Sequence, residues 1–335
     1  AEKIGFSEMN NEAVRNFFSS HYESFVDGIW RPVIWFVVMM FFTGYIVISG
    51  VKNGIEKYAK ILMPVLLVLL LVLVVRSVTL EGAREGLVFL FKPDFSTIKD
   101  APLKIIIEAL GQAFFSLSIG MGTLITYGSY IQKKENLANT AVSVAFADTF
   151  IAVVAGMAIF PAVFAFGINP GEGPELVYIT LPVIFQSMSG GLIWAFMFFL
   201  LLCFAAITST ISVLEVIVAY FSEQLNMTRR RAAILAMISV GFLGILCTLS
   251  EKIFGVFNGS PDLLLPLGGF FIVVFIGWFL AKGSTKGELS SDGKYKIGYY
   301  RLFMFLVKFV APLAIALLFA LGVYSKLITI FPSLG

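Results

Sequence analysis

The stretch Gln112-Ala113-Phe114-Phe115-Ser116-Leu117-Ser118-Ile119-Gly120-Met121-Gly122 sets two serines and two glycines in the middle of a segment, 105–131, long enough to cross a bilayer. In hydrocarbon the main chain must satisfy its own amides and carbonyls, so irregular backbone is tolerated only where it lines a cavity. Gly120 and Gly122 have no Cβ, which lets the chain leave helical geometry and lets a ligand come close. Ser116 and Ser118 supply hydroxyls at the same level. The pattern predicts two half-helices meeting at a break. The second half would aim its positive dipole end at a carboxylate, while the first would offer carbonyls to a cation. An amino-acid zwitterion together with a sodium ion suits both ends. Small residues also permit close helix packing without any ligand, but Gln112, Ser116 and Ser118 add polar groups that need partners at this depth.

Composition agrees with a membrane setting. Of 335 residues, 59% are hydrophobic and 13% charged, with a mean hydropathy of +0.93, which defines an all-α polytopic membrane protein. The net charge of +3 says little, because placement of Lys and Arg around spans carries the topology. Nothing supports a nucleic-acid partner. Cys203 and Cys247 both fall in apolar segments, so neither a disulfide framework nor a thiolate metal site is indicated. His21 is the only histidine, which removes His-rich metal centres and Ser-His-Asp hydrolases.

About eight apolar segments have spanning length, near 31–51, 59–79, 105–131, 139–168, 191–222, 229–250, 263–282 and 300–325. Alternate loops collect Lys52, Lys57 and Lys60; Lys133 and Lys134; Arg229, Arg230 and Arg231; and Lys282, Lys286, Lys294 and Lys296. The positive-inside rule makes that set cytoplasmic. The opposite loops are 1–29, with Glu2, Glu8, Glu12, Glu23 and Asp27, then 80–104, and 169–190, with Glu172 and Glu175. The two later ones read as structured caps, and Val177–Ser189, too short to cross, reads as a re-entrant lid. One transmembrane domain then covers 1–335, with both ends outside and an odd number of spans expected upstream of Ala1. The polar, acidic stretch 1–29 is not expected to be a signal peptide. Pro64 is tolerable early in its helix, and Pro161 and Pro182 flank the acidic outer loop.

Three further features lie inside spans. In Ala205-Ala206-Ile207-Thr208-Ser209-Thr210, positions 205, 208 and 209 share a helical face, so two hydroxyls and a carbonyl can converge on a small hard cation; alternatively, the hydroxyls bond back to the preceding turn. Asp148 sits amid apolar residues, where a carboxylate costs roughly 2.5–3.5 kcal/mol to insert and must face a partner. It reads as an ion or proton site, or as a buried neutral acid held by a hydroxyl. Glu215, two turns beyond Thr208, fits a structural or gating pair with a basic residue, and Glu108 fits the outer interface.

At these residues the chain resembles the neurotransmitter:sodium symporter family. Ala109–Gly122, followed by Thr126-Tyr127-Gly128-Ser129-Tyr130, looks like its sixth helix. Ala205–Thr210 looks like its eighth, and Ile253–Trp278, with Leu265-Pro266-Leu267-Gly268-Gly269, resembles the ninth-to-tenth helix region of its bacterial members. The resemblance runs from the fourth helix through the eleventh. It implies a LeuT-like inverted-repeat transporter fold lacking its first three helices, and sodium-coupled uptake of an amino acid by alternating access in a bacterial inner membrane. It further implies two sodium sites, one matching Ser116 and Asp148, the other Ala205, Thr208 and Ser209. The substrate pocket would match Phe115, Ser116, Ser118, Gly120, Met121, Gly122, Ser209 and Val213, with Phe115 as an aromatic lid.

Two departures from the family follow. Chloride-dependent relatives hold a halide near the counterparts of Gln112, Ser116 and a serine that is Ala152 here, so the fixed charge of Asp148 points to chloride independence. The absent first helix supplies the remaining ion and amino-group ligands, so the chain as given holds half of each site and is expected not to transport alone. Met121 and Val213 leave room for a bulky apolar or aromatic side chain. An intramembrane acid enzyme would need a second carboxylate facing Asp148, and neither Glu108 nor Glu215 is placed for it. A channel would need a filter or charged ring, and a scaffold leaves the polar break unexplained.

Overall fold

The computed structural model describes residues 11–93, 95, 102–132, 135–167 and 173–330. The expectations on residues 1–10, on Lys133 and Lys134, and on Glu172 lie outside the described residues. Among the described residues, seven helices are long and apolar enough to cross a membrane: Trp30–Ile48, Val51–Val78, Leu137–Ala165, Gly191–Gln224, Arg229–Leu249, Glu251–Phe279 and Tyr300–Tyr324. The eighth expected span, 105–131, is absent from that set because it is two helices, Pro102–Ser116 and Thr123–Tyr130, with turns between them.

We number the principal α-helices in chain order: α1 Asn11–Val26, α2 Trp30–Ile48, α3 Lys57–Val78, α4 Ala83–Phe91, α5 Pro102–Ser116, α6 Thr123–Tyr130, α7 Leu137–Ala165, α8 Leu181–Ser187, α9 Gly191–Gln224, α10 Arg229–Leu249, α11 Glu251–Gly259, α12 Pro261–Val274, α13 Lys282–Ser290, α14 Tyr300–Phe305 and α15 Ala311–Ile330. They group into two compact units, one of residues 1–93 and 150–249, the other of 94–149 and 250–335.

In the first unit, α9 is the long element, packed by α2, α3, α8 and α10. Leu70, Val163, Leu181, Ile184, Phe185 and Phe198 belong to a buried apolar cluster in it. The segment expected as a re-entrant lid is helical, a π-helical turn at Leu176–Thr180 running into α8, and Ile179–Phe185 is buried throughout. The alternation read there is therefore a helix face. The stretch 1–29, read as an outer loop, contains α1, whose Arg15 pairs with Glu175 and whose Tyr22 stacks on Tyr178 at 5.7 Å. Pro161 lies inside α7, in its last turns before the outer loop. A Cβ on Gly86 would come 2.5 Å from the carbonyl oxygen of Phe160, so only glycine lets α4 approach the main chain there.

The second unit is built on α12 packed against α15, with α5 on the same core. Phe114, Leu265 and Ile315 form its buried apolar cluster, joined by Ile119, Met121, Phe270, Val273 and Ala311. The span expected at 263–282 begins earlier, at α11. Ser250 caps α11, its hydroxyl accepting from the Ile253 amide at 3.5 Å, and Pro261 opens α12, a first-turn position where proline needs no amide partner.

Candidate functional site

The break follows from how α5 ends. Ser118 is the left-handed residue, with φ 53. The Ile119 amide reaches back to the Phe114 carbonyl at 2.9 Å, and the Ser118 amide to the Phe115 carbonyl at 3.1 Å. That pair of bonds is a Schellman cap, and the contact of Ile119 with the Phe114 cluster is its usual apolar companion. Glycine normally takes the left-handed position; serine there carries strain of about 1 kcal/mol or more. Gly120 and Gly122 are also left-handed, φ 87 and φ 84, and Gly122 stands immediately before α6. No backbone amide among the described residues donates to the carbonyls of Ser116 and Leu117, so those oxygens are free for a ligand.

A neighbouring helix holds this segment in place. A Cβ on Gly120 would sit 2.2 Å from the Leu265 carbonyl oxygen, and one on Gly268 would sit 2.7 Å from the Gly120 carbonyl oxygen. On Gly269 it would strike the Phe114 ring at 2.5 Å. The Gly-Gly step of α12 therefore meets the break main chain to main chain. The sequence displayed these glycines, but without their partner. It gave no signal for Thr123, whose hydroxyl is buried at the start of α6 with no hydrogen-bond partner among the described residues.

Ser116 donates its hydroxyl to Oδ1 of Asp148 at 2.6 Å, which brings α5 and α7 together at the level of the break. The pair presents an anionic oxygen and a hydroxyl oxygen, both hard donors of the kind alkali and alkaline-earth cations take. Phe115, next in sequence, is 61% exposed, whereas Met121 packs toward the Phe114 cluster. A cavity of about 530 Å³ extends along α5, α12 and α15, lined by Glu108, Gln112, Phe115, Asp262 and Pro266 among others. Glu108 also faces Lys104 at 3.8 Å.

The remaining expected residues lie on α9 in the first unit. The Thr208 hydroxyl donates to the Ala205 carbonyl at 2.9 Å, so back-bonding occurs here. It also sets two oxygens close enough to share one cation at the roughly 2.4 Å usual for hard cations. Ser209 and Val213, four residues apart, are exposed on one face. Thr210 bonds to the Ile207 carbonyl at 3.0 Å and to the hydroxyl of Thr43 on α2, also at 3.0 Å. The basic partner expected for Glu215 is Arg229, which forms a two-pronged bond at 3.0 and 2.7 Å and also donates to the Val47 carbonyl at 2.9 Å. Glu215 is completely buried, and this clamp joins α2, α9 and α10.

The broken membrane helix with its adjacent serine–aspartate pair in one unit, and the hydroxyl-rich long helix in the other, are features of a polytopic membrane transporter. Residues 4–330 match the Sodium:neurotransmitter symporter family, and the chain belongs to that family, one of symporters and not of enzymes. An uncharacterized sodium-dependent transporter of Haemophilus influenzae is 37% identical over 325 residues, covering 93% of this chain and 69% of the relative. A second, YhdH of Bacillus subtilis, is 35% identical, covering 84% of this chain and 65% of its own length. The crystal structure of MhsT in complex with L-phenylalanine is similar at 42% identity and a TM-score of 0.77, covering 90% of this chain and 70% of that one. The fold is thus the LeuT-like one expected, and the chain spans about two thirds of the length of these relatives.

Proposed function

We propose that the full-length protein takes up an amino acid with a bulky apolar or aromatic side chain, driven by sodium and without a chloride requirement, across a bacterial inner membrane. The observation that carries this is the Ser116–Asp148 pair at 2.6 Å beside the break in α5 and α6. In this reading Ser116 and Asp148 take one sodium ion, and Ala205, Thr208 and Ser209 take another. The amino acid lies against Phe115, Ser116, Ser118, Gly120, Met121 and Gly122. Its ammonium is held by the open carbonyls at the end of α5, which carry the negative end of that helix's dipole.

Two physical arguments support the finer points. Asp148 places a carboxyl group beside Ser116, and as a carboxylate it would balance a sodium ion there without a halide. Exposed Phe115 gives an apolar side chain somewhere to bind; the related MhsT was solved with phenylalanine. Alternating access then needs the bound solute and ions to favour a closed state over an open one, which is how a coupled carrier avoids leaking.

The test is uptake of labelled phenylalanine into proteoliposomes of the full-length protein. An inward sodium gradient drives accumulation whether the counter-ion is chloride or gluconate, and tryptophan or leucine competes while glycine does not. Uptake indifferent to sodium defeats the symport reading. An absolute chloride requirement defeats the charge argument for Asp148, and exclusive glycine uptake defeats the side-chain assignment.

A further inference from the structure

A feature unrelated to solute transport lies on the first unit, along an exposed apolar side of α3. Val68, Leu71, Val72 and Val75 line an open groove of about 410 Å³ that ends at Arg76, Thr79 and Trp194. Val68 is 60% exposed and Val75 65%. The distance from Val68 to Thr79 along the helix is about 16 Å, one half of the ~30 Å hydrocarbon core. The groove is therefore apolar for one leaflet and cationic at its rim. Arg76 occupies the last turn of α3, the end away from Lys57 and Lys60.

The rim is built. The Trp194 indole donates to the Ser189 carbonyl at 3.2 Å, which fixes the ring, and the Arg76 guanidinium lies 5.7 Å from the ring centroid. Stacking on an aromatic face leaves the guanidinium's in-plane donors available. No carboxylate pairs with Arg76 among the described residues. A cation held in place at a bilayer interface, above a chain-length apolar groove, matches a ligand with an anionic phosphate and an acyl tail.

We propose that this groove binds a glycerophospholipid, with its phosphate on Arg76 and one acyl chain laid along Val75, Val72, Leu71 and Val68. Arginine suits a phosphate because two parallel N–H donors meet two oxygens. The apolar contacts supply the tail's share of the affinity, and neither half alone suffices.

Native mass spectrometry of the delipidated full-length protein titrated with dioleoyl phosphatidylglycerol reads this directly. The wild-type protein is expected to take up one saturable lipid. Arg76→Gln weakens that adduct by roughly tenfold or more, as loss of a charge-assisted hydrogen-bond pair does, while Arg76→Lys keeps part of it. Val72→Trp, which fills the groove and leaves the rim intact, weakens it as well. Glycerol phosphate without acyl chains does not compete at equal concentration. Equal lipid uptake by wild type, Arg76→Gln and Val72→Trp overturns the proposal, because it identifies the adduct as ordinary annular lipid. A wild-type protein that takes up no lipid also overturns it, since another part of the protein then covers the groove. Gel filtration and sodium-driven uptake of each variant confirm folding, and if Arg76→Gln fails to fold, Val72→Trp and Arg76→Lys decide the matter.

Discussion

Ser118 holds a left-handed backbone, φ 53, that glycine would hold without strain. Replacing it with glycine is expected to stabilise the protein by about 1 kcal/mol, seen as a higher midpoint in a thermal melt. The same change is expected to weaken amino-acid binding, since the segment loses a hydroxyl and the stiffness that presents it. Asp148 is the other decisive residue. Asp148→Asn retains a group that Ser116 can bond but removes the charge, and sodium affinity should fall by about tenfold or more, measured as the sodium concentration for half-maximal binding. If Asp148 stands in for a halide, that variant should also become sensitive to chloride.

At the scale of elements, the contact between the break and α12 is main chain to main chain. Gly268→Ala would place a methyl 2.7 Å from the Gly120 carbonyl oxygen, and overpacking of this kind costs about 1–3 kcal/mol. We expect that variant to fold less stably and to bind its amino acid more weakly, because the backbone that moves belongs to the site. On the other unit, Arg229→Ala strands the fully buried Glu215 and should cost about 3–5 kcal/mol. Replacing Glu215 and Arg229 together by methionine should recover most of that loss, and thermal unfolding of the two variants separates stranded charge from lost packing. The break was legible in advance because serine and glycine inside an apolar run have few other uses, and hydropathy located every long span. The Arg229 partner was not legible, because a carboxylate within a span declares only that it needs a cation. Nor was the burial of residues 179–185 visible, since seven residues of mixed character read equally as alternation or as one face of a short helix.

For the whole molecule, an ion and a solute that bind only the folded state must stabilise it. Sodium at 100 times its dissociation constant is worth about 2.7 kcal/mol, so the melting temperature of the full-length protein should rise with sodium but not with potassium. The rise should grow when the amino acid is added. The central claim is that the unwound segment between α5 and α6 binds solute and sodium as one event. Equilibrium binding of labelled phenylalanine to the purified full-length protein, measured in sodium and in potassium, tests it most directly with wild type, Asp148→Asn and Thr208→Ala side by side. The account predicts tight binding in sodium alone for wild type, and a sodium requirement shifted to higher concentration in both variants. Equal binding in sodium and potassium, or variants indistinguishable from wild type, would contradict it.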